Sequence, residues 1–113
     1  MHSDNNIIIY QSEDGETRIE VKFTGETVWL SQQQMAELYQ TTRPNIVQHI
    51  RNIYADGELE ESATCKNFLQ VRQEGNRQVS REIPFYNLDM IISLGYRIRS
   101  IIATHFRRWA TER

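Results

Sequence analysis

The sequence predicts an α+β fold, and three observations predict it. Thr17 to Phe23 alternates apolar and polar residues, the mark of a half-buried antiparallel strand. Met35 to Tyr39 and Ile46 to Ile53 each carry apolar residues at helical spacing, with only a few polar residues between them. From Leu88 onward, apolar residues again recur at helical spacing. The 113 residues give room for one domain, expected to span 1–113. A chain of this size buries roughly two-thirds of its unfolded surface, enough for a core without disulfides or metal.

The elements follow in order. Asn6 to Tyr10 (NIIIY) reads as a short apolar strand. Asp14-Gly15 is a hairpin dipeptide, so this strand and Thr17 to Phe23 are expected to pair within a β-hairpin region over 1–30. Ile19, Val21 and Phe23 face one way; Arg18, Glu20 and Lys22 face the other. Thr27 to Leu30 is a third short strand. Ser31 and Gln34 form a capping box, each side chain satisfying the other's backbone amide. The first helix follows, with Met35, Leu38 and Tyr39 on one face. Gln40-Thr41-Thr42 interrupts it. Thr42 is an N-cap, and Pro44 suits the first turn of a second helix because its missing donor is not needed there. Ile46, Ile50 and Ile53 are its inward residues, and Gly57 is a left-handed terminator.

Glu58 to Asn67 is polar and reads as irregular or a helical turn. Phe68 to Gln73 and Arg77 to Phe85 form a hairpin about Glu74-Gly75-Asn76, although Pro84 argues against an unbroken second strand. Asn87 caps a buried helix from Leu88. Ile101 to Arg113 is the last helix, with Ile102, Phe106 and Trp109 on one face. The pattern runs to the final residue without a cap, which reads as the N-terminal fragment of a longer protein. Trp29, Trp109, Tyr86 and Tyr96 read as core.

Composition excludes several classes. Net charge is −2 and the aliphatic and aromatic content is ordinary, so the chain is not disordered. Cys65 stands alone, so there is no disulfide scaffold. No apolar run approaches the ~20 residues of a membrane span. A free cysteine without a secretory signal fits a cytoplasmic location. The charge is split: residues 1–62 carry a net −7 and residues 63–113 a net +5, with eleven arginines against two lysines. Arginine suits phosphates, guanine edges and carboxylates. This split reads either as a solvated surface whose halves attract each other or as a basic face for a polyanion.

No catalytic, metal or cofactor site is expected. His2, His49 and His105 are scattered, His49 lies beside the inward face of its helix, and Cys65 has no local base. The five glycines are isolated, so no phosphate-binding loop exists.

The informative segment is MAELYQTTRPNIVQHI, Met35 to Ile50. Two short helices, a three-residue turn and a small alanine at the crossing are the geometry of a helix-turn-helix. The segment resembles the pattern of winged-helix transcription regulators. It departs at Gln40, where glycine is usual, and at Thr41, where an aliphatic residue is usual. Gln40 in left-handed angles costs roughly 1 kcal/mol. The same helix pair also occurs as a pure packing unit. The expected architecture is therefore α+β of winged-helix type, with an N-terminal β-hairpin, a helix-turn-helix over 31–54, a wing-like hairpin over 68–85 and a C-terminal helix pair over 87–113. The expected DNA-binding residues are Thr42, Arg43, Asn45, Gln48, Arg51 and Asn52 on the second helix, with Arg72, Arg77 and Arg81 on the hairpin. Gln, Asn and Arg make paired hydrogen bonds to base edges, and hairpin arginines reach phosphates or a minor groove.

TVWLSQQQMAELYQTTRPNIVQHIRNIYADGELEESATCKNFLQV, followed by FYNLDMIISLGYRIRSIIATHFRRWATER, resembles the N-terminal domain of the RhuM family, bacterial proteins labelled virulence proteins. The likeness runs from about Ile7 to Arg113, and FRRWATE is more distantly similar to the Bro-N domain of phage antirepressors. The resemblance implies a DNA-binding, non-enzymatic protein. The expected partner is duplex DNA, with a homodimer formed through the C-terminal helices and no membrane. The alternative is a protein-interaction module of the same fold that has lost nucleic-acid binding and controls a downstream effector.

Overall fold

Five antiparallel strands form one sheet, in the order β1-β2-β3-β5-β4, in a computed structural model that describes residues 6–112. The strands are β1 (Asn6–Gln11), β2 (Arg18–Thr24), β3 (Thr27–Ser31), β4 (Cys65–Glu74) and β5 (Arg77–Asn87). Five helices accompany them among the described residues: α1 (Gln32–Tyr39), α2 (Arg43–Ala55), α3 (Glu61–Thr64), α4 (Leu88–Ile98) and α5 (Ser100–Thr111). The α+β class read from the sequence is what the structure has. The first hairpin region is a three-stranded meander, and the second hairpin is longer at both ends than 68–85.

Register decides which side chains meet the helices. Tyr10 opposes Ile19, Ile8 opposes Val21, and Leu30 opposes Tyr86. Opposed residues share a face. That face is buried: Tyr10, Ile19, Val21, Val28, Leu30 and Tyr86 join Met35, Leu38, Tyr39, Ile46 and Ile53 in one core. The other face carries Glu20, Lys22 and Trp29, and along the second hairpin Lys66, Phe68, Arg72, Arg77, Arg81 and Phe85. There Phe68 stacks edge-on against Trp29 and Phe85, and the Lys22 and Lys66 ammonium groups lie over the Phe68 ring. Phe85 is buried beneath this small cluster, away from the main core. Trp29 is half-buried and belongs to the same outer cluster.

Two-residue turns close two of the hairpins. Gly25 and Glu26 both have positive φ between β2 and β3, while Gly75 alone does between β4 and β5. These are the I′ and II′ patterns that match strand twist. The second turn also explains Pro84. A two-residue turn makes Glu74 and Arg77 a hydrogen-bonded pair, and pairs alternate from there. Pro84 opposes Asn67 as a non-hydrogen-bonded pair, so its missing donor faces away from β4. On that side the β3 ladder has already ended at Ser31–Phe85. β5 therefore runs unbroken through the proline, contrary to the expectation from sequence.

The helices end as their local chemistry dictates. Ser31 Oγ accepts from the Gln34 amide at 3.2 Å, and Gln34 Oε1 accepts from the Ser31 amide at 3.0 Å. Asn87 caps α4 through the Met90 amide. Only Arg99 separates α4 from α5, so the two pack side by side. Gly95 makes this possible: a Cβ there would collide with the Ala103 side chain and the Tyr39 ring and hydroxyl. Tyr39 is fully buried and its hydroxyl donates to the Ile91 carbonyl at 2.6 Å. Phe106 is buried and Trp109 half-buried, both ringed against Tyr10 within the same chain. The apolar face of α5, for which the sequence allows packing on Leu88–Leu94 or pairing with a second copy, packs internally. Tyr96, expected in the core, is 48% exposed because Gly95, its neighbour, takes the inward position. No helix among the described residues is long and apolar enough to cross a membrane.

Candidate nucleic-acid interface

The turn between α1 and α2 is three residues long. Gln40 takes φ 58° and ψ 48°, left-handed angles without glycine. The Thr41 amide donates to the Ala36 carbonyl at 2.9 Å, closing the end of α1. Thr42 is extended, and its hydroxyl accepts from the Asn45 amide at 3.2 Å. Pro44 then sits in the first turn, where it removes no helix hydrogen bond. Ile46, Ile50 and Ile53 anchor α2 inward. The opposite side of α2 is exposed at Arg43, Pro44, Asn45, Gln48, Arg51 and Asn52.

These exposed side chains differ in their engagement. Arg43 Nε donates to Gln32 Oε1 at 3.1 Å, which ties the start of α2 to the start of α1. Asn45 Nδ2 donates to Thr41 Oγ1 at 3.0 Å. Gln48 Nε2 donates to Asn52 Oδ1 at 3.2 Å, a bond one turn along the helix. Such exposed bonds exchange readily with water or a ligand, since each is worth only about 1 kcal/mol net. Arg51, Arg72 and Arg77 make no hydrogen bond or ion pair among the described residues, whereas Arg81 lies 3.4 Å from Glu74.

Two open depressions meet at Arg43. The larger, about 680 Å³, runs between the start of α1 and the second hairpin, with Gln32, Gln33 and Arg43 on one side and Val71, Arg72 and Pro84 on the other. The smaller, about 470 Å³, lies along α2 between Arg43, Pro44, Val47, Gln48 and Arg51. No carboxylate among the described residues lines either one. The structure therefore brings together Arg43, Gln48, Arg51 and Arg72. Arg77 and Arg81 share the sheet face of Arg72 but stand further out along the hairpin and line neither depression. Thr42, Asn45 and Asn52 flank α2 as local hydrogen-bond partners.

Sequence reasoning missed Gln32 and Gln33, which lie between the capping-box residues Ser31 and Gln34 and carry no pattern of their own. It also missed that Lys66 lies on the same sheet face as Phe68 and Arg72. The three share strand parity, which shows only once β4 is known to begin at Cys65. Gln32 has a second tie: its Nε2 donates to the Tyr86 hydroxyl at 3.1 Å. Burial pushes that phenol up to about 12. Burial likewise raises the Cys65 thiol. His105 Nδ1 lies 3.2 Å from Glu13, far from these depressions in sequence and in the fold. His2 lies outside the described residues. No three His, Cys, Asp or Glu side chains among the described residues are grouped to hold a metal.

The fold and these surfaces define an α+β protein that presents an arginine-flanked helix beside a basic hairpin. Residues 63–113 match the model of the Virulence protein RhuM family, the family that the sequence resembles. The matched stretch runs from α3 through the second hairpin and both C-terminal helices. Comparison with curated proteins and with solved structures returned no match.

Proposed function

We propose that this chain binds duplex DNA without catalysis, as a winged-helix-type module. In this reading α1 and α2 form a helix-turn-helix, α2 enters the major groove, and β4–β5 is the wing. The observation that carries it is the pair of depressions that share Arg43 and are lined by no carboxylate among the described residues. A phosphate backbone favours such a surface, because arginines there release condensed counterions without a competing acid. Gln48 and Arg51 project from the side of α2 away from the core and carry the groups that pair with adenine and guanine edges. Arg43 and Arg72 flank the groove between helix and hairpin, where they suit phosphates.

Binding measured against specific and random duplexes at several salt concentrations tests this. Gln48→Ala with Arg51→Ala is expected to cost roughly 1–3 kcal/mol per lost paired contact on a preferred site, and less on random DNA. Arg43→Ala with Arg72→Ala is expected to weaken both duplexes alike and to flatten the salt slope by about one unit per lost contact. Both double variants must first melt like the parent. Absence of salt-sensitive binding to any duplex rejects the reading. A protein-interaction module then takes its place, favoured by the exposed Leu69 and Val71 on β4 and by Glu74, which offsets Arg81 near the hairpin tip.

A further inference from the structure

We propose that the free edge of β4 pairs with the β4 of a second copy of this chain, antiparallel, about a twofold axis at Gln70. β4 is ten residues long and is the outermost strand of the sheet, bonded on one side to β5 alone. An edge of this length presents a row of unpaired amides and carbonyls, a template for another strand. Protective devices are few along it: there is no proline and no bulge, because the β4–β5 register is continuous from Cys65 to Glu74. Leu69 is 65% exposed and Val71 58% exposed, side by side on one face of that strand.

The two-residue turn sets which groups point outward. Glu74 bonds toward β5, and so do Arg72, Gln70, Phe68 and Lys66 by alternation. Gln73, Val71, Leu69, Asn67 and Cys65 therefore offer their amides and carbonyls to the free edge. An isologous strand pair must make residue i meet j and j meet i. With the axis at Gln70, Leu69 meets Val71 of the second copy and Val71 meets Leu69, and these are the outward-bonding residues. On the other face Lys66 meets Glu74 and Glu74 meets Lys66, while Phe68 meets Arg72, a cation over an aromatic ring. All four charge and apolar pairings are favourable.

Neighbouring registers lose this. An axis at Leu69 sets Lys66 against Arg72 twice. An axis at Val71 sets Leu69 against Gln73 and leaves Lys66 without Glu74. The sequence of β4 is thus complementary to itself in one register. Arg72, Arg77 and Arg81 of both copies would lie on one face of a continuous ten-stranded sheet.

Sedimentation of the whole chain up to about 1 mM tests the pairing, and needs no DNA, so its outcome is separate from that of the proposed function. The expected result is a concentration-dependent dimer. Lys66→Glu sets like charges opposite each other twice and should weaken the dimer by about tenfold. Glu74→Lys should do the same, and the two changes combined should restore it. Gln70 lies on the axis as a non-hydrogen-bonded pair, with Cα atoms about 4.5 Å apart, which a disulfide spans. Gln70→Cys in a Cys65→Ser background should cross-link on mild oxidation, and Gln73→Cys should not. A chain that stays monomeric throughout overturns the proposal. So does a dimer indifferent to both charge reversals, or one in which Gln73→Cys cross-links as readily as Gln70→Cys.

Discussion

The junction of α1, α4 and α5 and the outer part of the β4–β5 hairpin are held by opposite means. At the junction Tyr39, Leu94, Ala103 and Phe106 are fully buried, Gly95 admits two neighbours where a methyl group would not fit, and a buried hydroxyl meets a backbone carbonyl. In the hairpin beyond Phe68 and Ile83 no side chain is buried, and backbone pairing, one tight turn and exposed contacts such as Arg81–Glu74 define the conformation. Side-chain volume decides the first region; strand pairing and turn chemistry decide the second. The surface that carries the proposed function joins the outer hairpin to the starts of α1 and α2.

The largest expected effect is at the junction. Gly95→Ala drives a Cβ into Ala103 and the Tyr39 hydroxyl, and should cost about 3 kcal/mol in denaturant unfolding. Tyr39→Phe should cost about 1 kcal/mol, the worth of the lost bond to Ile91. Combined, they should cost less than their sum, because removing the hydroxyl relieves part of the collision. Strict additivity in that cycle would mean the helices shift instead.

Next come the caps. Ser31→Ala removes one half of a capping box whose other half then loses its geometry, and should cost about 1 kcal/mol. A melting temperature unchanged within error would mean that tertiary packing alone fixes the start of α1.

A smaller effect is present at neutral pH and is lost in acid. The Arg97 guanidinium donates to Glu58 at 2.8 Å and holds its carboxyl below the usual carboxylate range. A depressed folded value means the pair stabilises above the unfolded pKa, about 4.3, and that this is lost as pH falls through the folded value. Glu58→Gln should therefore lower stability slightly at pH 7 and shallow the acid limb of the profile, with the two proteins converging as pH falls through the folded value. The pair is exposed, so the difference should be small and vanish in high salt. A steep loss at neutral pH would contradict this.

The smallest effect belongs to the hairpin. Leu69→Ser and Val71→Thr should each change monomer stability by less than about 0.5 kcal/mol, measured at low protein concentration. A loss of several kcal/mol would erase the contrast between the two regions.

Much of the helical architecture was legible from sequence, because its signals are local. Ser31, Thr42 and Asn87 cap helices through an amide three residues on, and that spacing is visible in one dimension. Gln40 read as a residue for which left-handed angles carry a cost, yet it takes them in a three-residue turn. Pro84 was not legible, since its fit depends on which neighbouring strand has ended. Phe85 read as a strand residue, but its burial on the outer face depends on Trp29 and Phe68, which lie far away in the chain. Tyr96 misled because the helix periodicity of α4 admits several inward faces, and Gly95 selects among them. Of the candidate site, Arg43, Gln48 and Arg51 were legible from the helical wheel. Their grouping with Arg72, Gln32 and Gln33 was not, because it depends on where the hairpin crosses the start of α1.

The bare ladder of the outer hairpin has a consequence in time. With no buried side chain to lock it, pairing there can open from Gly75 inward while the core stays folded. Its amide protons should exchange through this fraying, far faster than those of Leu30 or Ile91, whose release waits for global unfolding. The molecule then keeps two clocks, a fast one at the hairpin tip and a slow one at the helix junction. A ligand gripping the hairpin would slow only the first.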